Sequence, residues 1–241
     1  MDRSQLAKRF AAFDIDGTIF RWQLYHELFD AFIDEGLISV KDAAATIAAR
    51  DAWRERKGDY LSYEHELIHA MQRAIDGIDE QYFNEIADGI LRQKGHHVYR
   101  YTLDLLKDLK SQGYTIIAIS GSHQQLVDRF ARIHGIDISI GRNHTIKNGK
   151  LTQLATEVPG NKDKILQKII DEYSLSREGS YAVGDSGGDI AMLKLVEHPI
   201  AFNPDKTLFA EAQTQGWPIV VERKSIAYTL EKGSDGSYVL A

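Results

Sequence analysis

The 241-residue sequence contains no cysteine. That excludes a disulfide framework, a thiolate zinc site, an iron–sulfur cluster and a cysteine nucleophile. Only four prolines are present, so no proline-rich linker divides the chain. No apolar stretch approaches the ~18–20 residues of a membrane-spanning helix. The longest candidate, residues 43–49, is short and made of small side chains. No internal repeat or low-complexity tract is visible. Basic residues are in deficit, 29 Lys and Arg against 35 Asp and Glu, for a net charge of −6. A general nucleic-acid binder shows the opposite, a basic stripe. The first ten residues lack the apolar segment of a secretory leader. The expectation is a soluble cytoplasmic protein with no nucleic-acid and no membrane partner. What remains is ordinary for a globular chain, with 43% apolar and 27% charged residues. The length fits one or two domains.

The hydrophobic pattern changes twice along the chain. Residues 10–13 form a short apolar run that stops at Asp14-Ile15-Asp16-Gly17-Thr18, as a buried strand does on reaching a polar loop. From about 22 to 95 the period is helical throughout. Leu24, Leu28, Phe32 and Ile33 recur at helical spacing, and helices are predicted over 42–56, 63–74 and 80–91. Beyond this block, helices and strands alternate. Strands are predicted at 114–119, 136–140, 180–183, 199–202 and 218–221, and helices at 101–112, 123–134, 162–173, after 185 and at 205–215. Asn148-Gly149 marks a hairpin turn, Asn161 reads as a helix N-cap, and residues 226–241 read as an appended hairpin. Alternation of this kind predicts an α/β, Rossmann-like doubly wound parallel sheet. The expected division is a discontinuous core, 1–21 and 96–241, with an inserted all-helical cap domain at 22–95.

Ligands of such sheets bind at the carboxyl ends of the strands. Three apolar runs end there in polar residues, at Asp14, Ser120 and Asp185. Asp14, Asp16, Asp185 and Asp189 gathered at one sheet end would repel one another without a cation. Oxygen donors with no cysteine and no histidine cluster point to Mg²⁺. Ser120 and the amides beside Gly121 offer donors to a phosphate, and Lys162 at a helix start offers a positive charge. Each signal alone is commonly a cap, a turn or a solvated side chain. All four, in this order and each at a strand end or helix start, define a site.

In these motifs the chain resembles the haloacid dehalogenase superfamily phosphatases. The first motif is Asp14–Thr18, the second Ser120 in ISGS, the third Lys162 in GNKDKIL and the fourth Gly184–Asp189 in VGDSGGD. A helical insert between the first two is similar to the phosphoserine-phosphatase-like branch. The resemblance covers nearly the whole chain up to about residue 222. It implies that Asp14 is the nucleophile, forming an aspartyl phosphate, and that Asp16 is the general acid and base. It also implies that Asp14, Asp185 and the main-chain carbonyl of Asp16 hold Mg²⁺. Ser120, Gly121, Lys162 and Thr18 would bind the phosphoryl group, and Thr18 would also help orient the nucleophile loop. Asp189 would hold Lys162 or metal-bound water. An acid at position 16 distinguishes hydrolysis or transfer from the chemistry of relatives that lack it. The implied activity is a phosphomonoesterase for a small phosphorylated metabolite, acting as monomer or homodimer. A phosphoserine phosphatase specifically, a phosphotransferase, or a catalytically silent binding protein on the same fold are the alternatives.

Substrate recognition departs from the phosphoserine phosphatases. Those enzymes place a Glu nine residues after the nucleophile, where this chain has Gln23. Their cap arginine has no clear counterpart, with Arg73 nearest, and Gly188 stands where many relatives have Asn. Arg21, Trp22 and Gln23 are the candidate substrate contacts, beside Phe20, Tyr25 and His26. Packing of the helices against one another is the competing role for the aromatic members. His123 could reach substrate or lie on the surface at a helix start. A cap on two linkers, near 20–22 and 95–98, could close over the site.

Overall fold

Residues 10–13 are apolar without alternation because both faces of their strand are covered. In the computed structural model, which describes residues 8–241, β1 (Arg9–Phe13) lies in the middle of the sheet. The start of the segment on which the expectation of no leader rested lies outside the described residues. Ala11 and Phe13 pack into one apolar cluster, and Phe10 and Ala12 into a second on the opposite face. β2 (Thr115–His123) divides in the same way, Ile116 and Ala118 against Ile117 and Ile119.

Between these strands run α1 (Leu24–Asp34), α2 (Val40–Arg54), α3 (Tyr60–Ile75), α4 (Glu80–Lys94) and α5 (Arg100–Ser111). Ser39, Asp59 and Asp79 cap α2, α3 and α4 by accepting backbone N–H groups of the first turn. The chain continues through α6 (Gln124–His134), β3 (Ile138–Lys147), β4 (Lys150–Thr156), α7 (Lys162–Tyr173) and β5 (Ser176–Gly184). A single 3₁₀ turn, Gly187–Asp189, leads into α8 (Ile190–Leu193). Then come β6 (His198–Phe202), α9 (Lys206–Gln215), β7 (Ile219–Arg223), β8 (Ile226–Lys232) and β9 (Tyr238–Leu240).

The described residues form a nine-stranded sheet in the order β4-β3-β2-β1-β5-β6-β7-β8-β9. Its six central strands are parallel, and β4, β8 and β9 extend it antiparallel at the two edges. β1 is flanked by β2 and β5, so successive crossovers diverge there and leave a crevice at the carboxyl ends of these strands. This is the doubly wound α/β fold. Helices α1 to α6 contribute to one apolar cluster, and α7, α8 and α9 to the other.

Several details differ from the sequence expectation. β3 extends past residue 140 and runs into the hairpin, whose turn has Asn148 and Gly149 both at positive φ, 53° and 74°. β2 extends to His123, which is buried and ends the strand instead of lying on a helix surface. Asn161 occupies the N-cap position of α7 but makes no capping bond with its side chain. The segment after 185 is a 3₁₀ turn and a four-residue helix, because Asp189 folds back onto the amides of Asp185 and Ser186.

The helical block is joined to the sheet by more than its two connections. Those connections run side by side, with Arg21 N donating to His97 O and Tyr99 N to Ile19 O, both at 2.8 Å. The loop between α3 and α4 is also bonded to the β3–β4 hairpin. Gly77 N donates to Leu151 O and Leu151 N to Ile78 O, each at 2.9 Å. Arg129 on α6 pairs with Asp88 on α4 at 2.5 Å. A swing of the whole block on two linkers would therefore break a third attachment.

Within the block, Phe32 of α1 meets Phe83 of α4 edge-to-face with ring centroids 6.1 Å apart, and both are fully buried. Phe32→Ala should lower stability by about 3–5 kcal/mol. The check is the shift of the urea unfolding midpoint at unchanged slope.

Candidate active site

The loop after β1 turns back at once because Gly17 adopts φ +89° and its amide donates to Phe20 O and Trp22 O. A side chain at Gly17 would overlap the Asp185 carboxylate. This close approach brings the end of β1 against the end of β5. Asp14, Asp185 and Asp189 converge there, each offering a carboxylate oxygen within 4.8 Å of the others.

Lys162, the first residue of α7, reaches into this group with its ammonium. It donates to Asp14 Oδ1 and Asp189 Oδ1, both at 2.6 Å. Burial alone would depress the lysine, but the two carboxylates overcome it and hold it charged, well above the usual range. Burial pushes Asp14 up to about 7, against the attraction of Lys162 and with the repulsion of Asp189 and Asp16. Asp185 is pushed up to about 9, first by burial and then by Asp14 and Asp189. Asp14 Oδ2 is buried with no hydrogen-bond partner among the described residues. One orphaned carboxylate oxygen, two more carboxylates beside it and no soft donor fit a hard divalent cation.

Asp189 is fully buried, and its second oxygen accepts from the amides of Asp185 and Ser186 and from the Ser186 hydroxyl. Asp205 caps α9 and accepts from Gly187 N at 3.1 Å, fixing the same loop from the other side. Thr18 is buried and donates to Asp185 Oδ1 at 3.3 Å. Its hydroxyl therefore orients Asp185 and lies off the cavity wall, a correction to its placement among phosphate contacts.

Asp16 is held from two directions. Its Oδ2 accepts from the hydroxyls of Ser120 at 2.5 Å and Ser122 at 2.9 Å, and its Oδ1 accepts from the backbone amide of Leu24 at 2.6 Å. Burial raises its pKa, and these donors oppose the rise. Its carboxylate takes no part in the metal-competent trio. Ser120 is fully buried and committed to Asp16, so Gly121 and Ser122 form the wall on that side.

These groups open into one cavity of about 420 Å³. Asp14, Asp16, Asp185, Gly121 and Lys162 lie at its sheet end, with Gly160 and Pro159 leading into α7. Asn161 makes no side-chain cap, and among the described residues no side chain accepts from the first-turn amides of α7, which suits an anion. The opposite wall comes from α1 and α3, with Gln23, Tyr25 and His26 facing Tyr60, Glu64, Leu67 and Ile68. Gln23 Oε1 accepts from the Tyr60 hydroxyl at 2.7 Å. Arg142 on β3 also lines the cavity and pairs with Glu157 at 2.5 Å.

The remaining sequence candidates lie elsewhere. Arg21 is exposed, 5.3 Å from the Tyr99 ring centroid. Trp22 stacks on Trp53 at 6.0 Å and meets His26 edge-on, so packing accounts for it. Phe20 is buried against Phe130, and Arg73 is exposed in the last turn of α3. His123 lies between Tyr25 (5.4 Å) and His144 (4.8 Å) in a stack of three rings, and burial lowers its pKa strongly. Sequence reading missed Arg142, Tyr60, Glu64 and Asp205. Tyr60 and Glu64 share a helical face at i, i+4, but nothing in the sequence says which face meets the sheet.

The haloacid dehalogenase-like hydrolase family matches residues 11–194, so the chain belongs to it. Its fold is similar to that of phosphoserine phosphatases of known structure. A phosphoserine phosphatase of Archaeoglobus fulgidus is 26% identical over 204 residues, covering 83% of this chain and 54% of that protein. The chain thus spans about half the length of that relative. A histidinol-phosphatase of Neisseria meningitidis is 24% identical, covering 88% of this chain and 98% of the relative. Among solved structures, a phospho-aspartyl intermediate analogue of phosphoserine phosphatase superposes with a TM-score of 0.61 at 21% identity, over 91% of this chain and 96% of that one.

The raised carboxylates have a consequence for stability. A group whose pKa is higher in the folded than in the unfolded state makes folding less favourable as pH rises between the two values. For Asp185 that window runs from about 4 to about 9. With divalent cations chelated, Asp185→Asn should stabilise the protein at pH 8 by roughly 1–3 kcal/mol and flatten the loss of stability between pH 5 and 9. Urea unfolding across that range checks both.

Proposed function

We propose that this chain is a phosphomonoesterase acting on a small phosphorylated metabolite, with Asp14 as nucleophile and Asp16 as general acid and base. The observation that carries the reading is the Asp14 carboxylate, anchored through one oxygen by Lys162 while its other oxygen is buried and unpartnered at the floor of the cavity. The family match and the phosphatases among the relatives support the same chemistry.

Asp14, Asp185 and the loop carbonyl of Asp16 would hold Mg²⁺, which when bound screens negative charge on the phosphoryl oxygens. Lys162, the amide of Gly121, Ser122 and the start of α7 would bind those oxygens. Asp14 attacks phosphorus, the P–O bond to the alcohol breaks, and the phosphoryl group passes to the carboxylate. The departing alkoxide takes a proton from Asp16, whose burial favours the protonated form. Asp16 then withdraws a proton from water, which attacks the aspartyl phosphate, releases inorganic phosphate and restores Asp14.

The residues 22–95 form the cap in this reading. It narrows the cavity to small substrates and limits water around the intermediate. The Gln23 amide, bound to Tyr60, carries no charge, so any contact to a substrate ammonium must come from another residue of the wall.

Phosphate release from a panel of small phosphoesters tests the reading. Turnover should require a divalent cation and be lost on chelation. Asp14→Asn should reduce it by at least about a thousandfold while leaving the circular dichroism spectrum unchanged, as expected for loss of a nucleophile. Asp16→Asn should slow poor leaving groups by about 10²–10⁴-fold, more than good ones. Equal slowing of p-nitrophenyl phosphate and an alkyl phosphate would contradict an acid role for Asp16.

A further inference from the structure

One wall of the cavity carries a charge that the protein does not answer. The cavity is lined by seven ionisable Asp, Glu, Lys and Arg side chains. Asp14, Asp16, Asp185 and Lys162 belong to the reaction centre. Asp205 is engaged as the cap of α9, and Arg142 is paired with Glu157. The seventh is Glu64. It makes no hydrogen bond and no ion pair among the described residues. It is half-buried, and burial raises its pKa.

Its surroundings suit a cation. Tyr60 lies one helical turn before it on the same face of α3, and Tyr25 faces them from α1. The Glu64 charge is felt by both phenols, beyond the effect of their own burial. The bond from Tyr60 to Gln23 fixes the Tyr60 ring across the cavity wall. Aromatic faces beside a carboxylate form a favourable environment for a protonated or quaternary nitrogen. A half-buried carboxylate without a partner is costly to keep ionised, and a bound cation removes that cost. An anionic group at the same place would meet Glu64 directly, while the guanidinium in the cavity lining, Arg142, is already paired with Glu157.

We propose that Glu64, with Tyr60 and Tyr25, is the specificity site for the alcohol side of the phosphoester, and that the substrates it selects carry a cationic nitrogen there. The proposal rests on the phosphomonoesterase reading and names the substrate class for that site.

The test is steady-state phosphate release from 2-aminoethyl, 2-hydroxyethyl and 2-carboxyethyl phosphate, with p-nitrophenyl phosphate as general reporter. The wild-type protein should prefer the aminoethyl ester over the hydroxyethyl ester by about tenfold or more in kcat/KM, the scale of one contact to a charged group. Glu64→Gln should reduce that ratio about tenfold, mainly through KM, and Glu64→Lys should shift preference toward the carboxyethyl ester. Urea midpoints near the wild-type value establish that both variants fold. No preference for the amine in the wild type, or a preference that survives Glu64→Gln, overturns the proposal while leaving the phosphatase reading intact. Turnover of the reporter alone, with none of the three alkyl esters accepted, also overturns it. No release from any of the four above the Asp14→Asn background overturns the phosphatase reading, and the assignment of Glu64 falls with it.

Discussion

The buried ion group of Lys162 with Asp14 and Asp189 is the constraint on which the rest of the site depends. Two strand ends, those of β1 and β5, bring carboxylates into a space where water cannot screen them. Bare, they would repel one another and drive the loops apart. A single ammonium 2.6 Å from two of them holds the arrangement together. Such a group is poor as a source of stability, since removing its charges from water costs about as much as their attraction returns. Its value is geometric. Asp14 is left with one oxygen tethered and one free, and Asp189 is locked between the lysine and two backbone amides.

The second requirement is the meeting of helical block and sheet. Asp16 accepts from Ser120 and Ser122 at the end of β2 and from the first amide of α1. The carboxyl assigned to proton transfer is thus bonded to both halves at once. The cavity shows the same division, with a charged floor from the sheet and a largely aromatic and aliphatic wall from α1 and α3. The extra bonds between the α3–α4 loop and the β3–β4 hairpin keep that wall in register with the floor.

The floor was legible in the sequence because each of its residues follows a recognisable break in pattern. An apolar run ending in Asp14, Ser120 or Asp185 marks a strand end, and parallel sheets gather strand ends. The wall was not legible. Helical periodicity says that one side of α3 is buried, but not whether Tyr60 and Glu64 face a cavity or another helix. Arg142 was hidden for a different reason. It lies in the bulged stretch where β3 passes from parallel to antiparallel pairing, and such a register shift leaves no mark in composition. Position alone makes Thr18 and Ser120 look like ligand contacts. The fold turns both hydroxyls toward carboxylates that need holding.

Two glycines set the limits within which this chain can change. Gly17 has no room for a side chain because Asp185 fills the space, and Gly184 is closed in the same way by Asp189. Any larger residue at either place displaces a carboxylate of the reaction centre. The floor is therefore closed to gradual variation, whereas α3 carries its contacts on ordinary helical backbone that accepts most side chains. Divergence toward new substrates has only the wall to work with, and a lineage built on this plan can exchange its preferences while its chemistry stays fixed.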